Sequence, residues 1–496
     1  MEPLNSIVHE ELLMNITPQE TRLAVVENGM LQELHIERSS NRGLVGNIYL
    51  GKILRVLPGM QAAFIDIGLE KAAFLHVSEL IHDKDSKLTN ARNSDYPDIS
   101  KLITQDQSIV VQVLKDPLGT KGARLTAQLT LPSRYLVMLP DNDHVAVSQR
   151  IENEESKQRL VDTVSPFCEK YAVGYIVRTA TELASNEAIE ADAKYLHRLW
   201  KKIKQRQLKA KPGAILYEDL DLATRAIRDI VHPGVEKIRI DSKENYERVK
   251  EFMENLLPEA VPKLEYYPGE RPLFDLYSLD DEIKKALNKK VELKSGGHIV
   301  IDQTEAMTTI DVNTGAFVGR SNQEETIFKT NLEAATALAR QLRLRNLGGI
   351  IIIDFIDMNN NEHKRQVTRA LSKALNKDNA KTHISEVSSL GLIEMTRKRT
   401  RESIEHILCE ACPVCNGTGS VRTSQTLCYE IFREILRSSR AYEAKQIMVL
   451  ASQQVVERLL DEESANVAEL EDFIKKPIRF QVESLYFQEQ YDVVPV

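Results

Sequence analysis

No stretch of this chain approaches the ~18 to 20 consecutive apolar residues that a membrane-spanning helix needs. The opening Met1-Glu2-Pro3-Leu4-Asn5-Ser6 also lacks the basic flank and apolar centre of a signal peptide. A membrane protein and a secreted one are disfavoured, and the expected location is the cytoplasm. Positive charge is not in excess either: 65 Lys and Arg stand against 73 Asp and Glu, a net charge of −8, so any basic surface has to be local. Tryptophan occurs once and cysteine five times among 496 residues, which excludes a disulfide-stapled scaffold. With 42% hydrophobic residues the chain is globular, and at roughly 150 residues per domain it should hold about three domains. No fixed-period repeat or low-complexity tract interrupts it.

From about Gly43 to Thr126 the text is a series of short strands separated by turn residues. Ile53–Leu57, a Pro58-Gly59 turn, Ala62–Gly68 and Ala72–His76 are followed, after the polar stretch Asp83–Lys101, by Ser108–Val113. That spacing predicts a five-stranded OB-type barrel with a long exposed loop. From Glu182 to Lys211 the apolar positions fall at helical spacing, and between Lys194 and Lys211 there are eight Lys or Arg and no acid. Such a run is either one solvated helix face or a surface for a polyanion.

Beyond Arg271 the pattern is strand, helix, strand. His298–Asp302 and Thr308–Val312 are strand-like, a helix is predicted over Gln323–Leu344, and Ile350–Phe355 follows. Ser321 with Glu324 forms a capping-box signature and Gly348-Gly349 a stop. The unbroken Ile350–Ile353 run predicts a strand buried on both faces, hence α/β architecture. From Ala411 a glycine-rich knuckle leads into a tail read as helix-rich and acidic.

Asp311 and Asp354 each close an apolar strand. Side by side in one sheet, the two carboxylates would offer hard oxygen donors to Mg²⁺, which binds such ligands while retaining waters. A metal so held activates water against a phosphodiester. Asn313, two residues beyond Asp311, shares its face and is placed to orient the reactants; Asp302 and Asp357 are rival carboxylates. Residues 360–401 carry ten Lys or Arg against four acids, which points to a polyanionic substrate. In the barrel, Phe64 and Phe74 with Lys121 suit either a core or a surface on which bases stack. Cys412 and Cys415, two residues apart and followed by a glycine turn, are half of a tetrahedral zinc site. Either two chains share the metal, or Cys409 and Cys428 complete a site within one chain.

These motifs together resemble the ribonuclease E/G family. The resemblance is carried by Val45-Gly46-Asn47-Ile48-Tyr49-Leu50-Gly51, Leu57-Pro58-Gly59-Met60-Gln61-Ala62-Ala63-Phe64-Ile65-Asp66-Ile67-Gly68 and Ile310-Asp311-Val312-Asn313-Thr314-Gly315, and by Asn331-Leu332-Glu333-Ala334-Ala335, Arg340-Gln341-Leu342-Arg343-Leu344-Arg345, Ile353-Asp354-Phe355-Ile356-Asp357-Met358 and Cys412-Pro413-Val414-Cys415. It implies an α/β multidomain fold: an RNase H-like domain in two parts (1–43 and 223–287) split around an OB-fold barrel (44–127) and a 5′-phosphate sensor region (128–222). A DNase I-like catalytic domain (288–408), a zinc link (409–422) and a small helical oligomerisation domain (423–496) follow. It implies a magnesium-dependent endoribonuclease acting on single-stranded, A/U-rich RNA, including ribosomal RNA precursors and messenger RNA, and leaving a 5′-phosphate and a 3′-hydroxyl. By resemblance, Asp311 and Asp354 match the metal-binding aspartates and Asn313 the nearby amide. Phe64, Phe74 and Lys121 match the barrel's RNA contacts, and Arg178, Thr179 and Val137 a pocket that reads a 5′-monophosphate. Homodimers joined through zinc, or pairs of such dimers, are also implied. The rival from another class is a non-catalytic RNA-binding or ribosome-assembly protein; a DNA-directed nuclease is a second rival.

Overall fold

The structure is a computed structural model that describes residues 9–81, 97–117, 121–151, 153–315, 323–399 and 401–496. Most of the predicted loop Asp83–Lys101 and the predicted cap residue Ser321 lie outside the described residues. The chain forms two units, Met1–Ile407 and Leu408–Val496.

In the first unit, one five-stranded sheet joins distant parts of the sequence. Glu10–Ile16, Glu20–Glu27 and Met30–Arg38 form an antiparallel meander, and Val235–Ile240 and Leu264–Tyr266 extend it in parallel beyond Glu10–Ile16. Leu12, Leu13 and Met14 are consecutive and wholly buried, so the central strand is covered on both faces.

The chain between these two parts first makes the barrel. Ile48–Leu57 pairs with Ala62–Asp66 through one half and with Ser108–Lys115 through the other, while Ala73–His76 and Arg124–Thr126 complete the ring. Five strands therefore close on themselves, as expected from the turn spacing. A sixth short strand, Ile215–Tyr217, attaches at Ile48 and Tyr49. Closure is tight at Gly122, where an added Cβ would lie 1.9 Å from the Ala72 carbonyl oxygen.

A four-stranded sheet follows, built from Leu131–Pro132, Leu136–Leu139, Val145–Val147 and Gly174–Val177. Helix Glu154–Tyr171 starts at Asn153, whose side chain accepts from the Glu155 and Ser156 amides. The basic helix runs Asn186–Gln207 behind a Ser185 cap and buries Ile189, Ala193, Leu196, Trp200 and Ile203 on one side.

The last sheet of this unit has six strands in the order Lys290–Glu292, His298–Gln303, Met307–Asn313, Gly349–Asp354, Leu392–Arg397 and Thr382–Val387. Helix Gln323–Leu344 lies where the sequence pattern predicted it and, with Asn361–Leu375, supplies the partners of the buried side chains. The two-sided burial predicted for Ile350–Ile353 is corrected: Ile351 and Ile353 are fully buried, whereas Ile350 is 48% exposed and Ile352 half-buried. An apolar run reads as two-sided whatever covers it; here the helices cover one face.

The second unit corrects the helical reading of the C-terminus. Helices Ser424–Ala441, Gln453–Leu460 and Ser464–Ile474 pack with a three-stranded sheet of Ile478–Val482, Ile447–Ala451 and Tyr491–Pro495. Each strand is five residues long, and apolar runs that short are not separable from helix segments by periodicity.

Candidate active site

Met307–Asn313 and Gly349–Asp354 run parallel, with helix Gln323–Leu344 as their connection, and their register sets Asp311 directly opposite Asp354. Directly paired residues on neighbouring strands put side chains about 5 Å apart on one face. Alternation then fixes the direction: Thr308, Ile310 and Val312 are buried, and Asp311 is exposed on the open face. The Asn313 amide donates from Nδ2 to Asp311 Oδ2 at 2.7 Å, so the face-sharing predicted two residues on is realised as a direct contact. Beside Asn313, an added Cβ on Gly297 would come within 2.6 Å of the Asn313 carbonyl oxygen, so the approach of the two strands requires glycine there.

The electrostatics of the pair are those of like charges held together. Asp354 titrates above the ordinary carboxylate range because of partial burial and then the charges of Asp311 and Asp357. Among the described residues no lysine or arginine forms an ion pair with Asp311 or Asp354. Of the rivals, Asp302 is taken up by Lys289 at 2.7 Å, and its place opposite Thr309 sets it a row away. Asp357 contributes charge from the loop after Asp354. Among the described residues no group of three or more His, Cys, Asp or Glu side chains gathers as a metal cage. Two unpaired carboxylates on an open face still fit magnesium, which is held by one or two carboxylates and keeps its waters.

The reading by strand ends missed the residues that hold this site in place. Asn331 is fully buried, and its amide spans Ile356, donating to the carbonyl oxygen at 2.8 Å and accepting from the amide at 3.2 Å. It thereby fixes the loop that carries Asp357. Glu333 accepts from the Lys294 and Ser295 amides at 2.6 and 3.0 Å, pinning the turn before His298–Gln303. Arg343, from the same helix, reaches Glu27 and Glu33 at 2.9 and 3.1 Å and joins this sheet to the first one. A buried polar residue within a helical apolar stripe was the available signal.

On the barrel, Phe64 pairs with Phe74 in register, the rings 6.1 Å apart and edge-to-face at 69°. Both are half-buried, while Ala63, Ile65, Ala73 and Leu75 fill the interior, so the phenylalanines lie on the outer surface. Register extends the row in both directions, with Arg55 opposite Phe64 and Arg124 opposite Phe74. The sequence reading had neither arginine. Lys121 is exposed just ahead of Arg124–Thr126.

Val137 pairs with Ile176, and alternation sets Ile176 and Arg178 on that same, less buried face. Arg178 donates to the Ser133 carbonyl oxygen at 2.6 Å and to Asp229 at 2.8 Å. Two of its donors are thus spent on orientation. Thr179 is exposed at the start of a short 3₁₀ turn, Thr179–Leu183. Arg178, Thr179 and Val137 therefore lie close together in the fold, and the Phe64–Phe74 pair and the carboxylates lie on other sheets.

Comparison with known proteins decides what this assembly is. The family model described as "Ribonuclease E/G family" matches residues 130–400, and that of "RNase E/G, Thioredoxin-like domain" matches residues 411–495. The chain is 55% identical over 485 residues to Ribonuclease G of Salmonella typhimurium, covering 98% of this chain and 99% of that protein. The chain belongs to the ribonuclease E/G family. Ribonuclease G of Escherichia coli K12 is 54% identical with the same coverage, and Ribonuclease E of Haemophilus influenzae 37% identical over 93% of this chain and 49% of its own length.

In the second unit of this family member, Cys412 and Cys415 flank a tight turn. The Asn416 amide donates to the Cys412 carbonyl oxygen at 2.7 Å, and Asn416 and Gly417 have positive φ. The half-buried Cys415 thiol is drawn below its ordinary range, chiefly by the Gly419 and Gly417 amides. Two thiols two residues apart on such a turn, one of them exposed, fit zinc. Cys428 is buried among Leu427, Ile431 and Ile435, where burial pushes its thiol up to about 11. Among the described residues no group of three or more His, Cys, Asp or Glu side chains gathers around the pair.

Proposed function

We propose that this family member is a magnesium-dependent endoribonuclease that cuts single-stranded, A/U-rich RNA to 5′-phosphate and 3′-hydroxyl products. The observation that carries the reading is the register placing Asp311 opposite Asp354, with no lysine or arginine among the described residues ion-paired to either. Endoribonuclease activity in RNA processing accords with its Ribonuclease G relatives. Magnesium bound there would supply an activated water and neutralise charge developing on the phosphate. Asp311 and Asp354 provide the donor oxygens. Asn313, donating one N–H to Asp311 Oδ2, aims that carboxylate and keeps its second N–H for an oxygen of the scissile phosphate.

The outer row Arg55, Phe64, Phe74 supports a strand held by base stacking, with Arg55 for a phosphate at one end and Arg124, paired with Glu79 at 3.1 Å, at the other. Arg178, held by Ser133 and Asp229, offers a planar fork for a terminal 5′-monophosphate, with the Thr179 hydroxyl beside it. Zinc shared through Cys412 and Cys415 of two chains supports a homodimer or a pair of dimers. The finer fold is an RNase H-like sheet split around the barrel and the sensor, followed by a DNase I-like sheet. The cytoplasmic work proposed is ribosomal RNA maturation and messenger decay.

The test is a labelled single-stranded RNA and a DNA of the same sequence, each incubated with the protein in magnesium and then in chelator. RNA cut only with magnesium, leaving ends that a phosphatase can strip, is the expected outcome. Binding without cleavage favours a non-catalytic RNA-binding protein, and cleavage of the DNA a broader nuclease.

A further inference from the structure

We infer that the basic face of helix Asn186–Gln207 is an RNA track that carries the single strand between its 5′ end and the barrel, an inference that rests on the ribonuclease reading above. The apolar stripe Ile189, Leu196, Trp200 and Ile203 is buried, which turns Arg198, Lys201 and Lys202 outward, with Lys209 exposed just beyond the helix end. A solvated helix face ordinarily intersperses both signs, because like charges three or four residues apart repel. Among the described residues, Lys194 is the cation of this helix that pairs with a carboxylate, Glu190 at 2.8 Å. Arg206 is spent on the Leu216 carbonyl oxygen at 3.2 Å, and Lys204 lies over the Trp200 ring at 5.1 Å. Arg198, Lys201, Lys202 and Lys209 form no ion pair among the described residues. Four outward cations with no acid to balance them suit a polyanion.

What the helix connects identifies the polyanion. Its N-terminus follows directly on the turn Thr179–Leu183, next to Arg178 and Thr179. Its C-terminus runs into Gly213, whose amide donates to the Leu50 carbonyl oxygen of the barrel at 2.7 Å. An added Cβ on Gly68, which follows the strand of Phe64, would meet the Gly213 carbonyl oxygen at 2.6 Å, so helix end and barrel are in contact. The 22 residues of the helix span roughly 33 Å at about 1.5 Å each. A strand anchored by its 5′ end at Arg178 and stacked on Phe64 runs between the two regions that the helix and its C-terminal turn join, and phosphate contacts made on the way need no particular sequence.

The experiment measures binding of a 5′-monophosphorylated single-stranded RNA to the full chain, by fluorescence anisotropy in chelator over a range of salt. Each cation that neutralises a phosphate of a single strand contributes about 0.7 to the slope of log affinity against log salt. Replacing Arg198, Lys201, Lys202 and Lys209 together by glutamine should lower that slope by about 2 to 3. Gln205→Lys, which adds a cation on the exposed side, should raise it by about 0.7. Slopes equal to the unmodified protein's in both variants would overturn the track. Magnesium-dependent cleavage of the same RNA by the unmodified protein is scored separately: its absence would sink the nuclease reading, while the slopes still decide whether this face binds RNA.

Discussion

Replacing Asp354 with asparagine should stabilise the metal-free protein and destabilise the magnesium-bound one. Asp311 and Asp354 face each other in register, and at the strand spacing of ~4.8 Å two unit charges in water repel by about 0.9 kcal/mol. Measured penalties for like charges directly opposite in a sheet are about 0.2 to 1 kcal/mol. Asp357 adds to the repulsion, and no described cation relieves it. Asp354→Asn should therefore raise the free energy of unfolding by about 0.5 to 1 kcal/mol in chelator. With magnesium at a hundred times its dissociation constant, the unmodified chain gains about 2.7 kcal/mol, and the variant, short of one charged donor, most of which it loses. The order of the two proteins then inverts between buffers. Urea unfolding followed by circular dichroism, with and without magnesium, reads this directly. A variant less stable in chelator, or one that gains as much from magnesium as its parent, would refute the reasoning.

Phe64→Ala and Phe74→Ala should each weaken RNA binding by about 1 to 3 kcal/mol, because each removes a stacking surface that lies outside the barrel core; unchanged affinities in a titration would return both rings to a packing role. Arg178→Gln should abolish any preference for 5′-monophosphate over 5′-hydroxyl oligomers in kcat/KM, and an unaltered ratio would reject the sensor. Stability should also fall in mild acid through His35. Burial and then the charge of Arg401 hold its imidazole down at about 4, against about 6.5 when unfolded, so the unfolded chain takes up the proton first. Stability is complete above about 6.5 and loses about 3 kcal/mol as pH drops toward 4, whereas Glu33, held at about 2 against burial by His35, Arg343 and Arg401, adds its loss only below the ordinary glutamate range. His35→Gln should flatten the higher window in urea titrations, and an unchanged slope there would contradict it.

The barrel and the carboxylate pair were legible because each rests on local pattern. Turn residues at short spacing gave five strands, and two aspartates ending apolar strands on either side of one helix gave a site whose register only the structure supplies. Where the sequence was silent, the cause was usually a partner far away in the chain. Arg55 and Arg124 become part of the aromatic row only once cross-strand pairing is known. Asn331 looks like a polar interruption of an apolar helix until Ile356 is found against its amide. The two-sided burial expected of Ile350–Ile353 failed because, among the described residues, the helices pack on the face of Ile351 and Ile353, and composition does not record which face is covered. The C-terminal sheet was missed because strands of five residues leave too short a period to distinguish from helix. Arg178, Thr179 and Val137 came only from family resemblance: a β-sheet rim with one arginine has no spacing of its own to notice.

Single-turnover cleavage of one labelled single-stranded RNA, over a magnesium titration, by the unmodified chain and by Asp311→Asn and Asp354→Asn, tests the pair most directly when RNA affinity is followed in parallel. Both variants should bind the RNA as tightly as the parent and cut it at least ~10²-fold more slowly at every magnesium concentration. Cleavage within a few-fold of the parent in either variant would show that the two carboxylates do not hold the reacting metal.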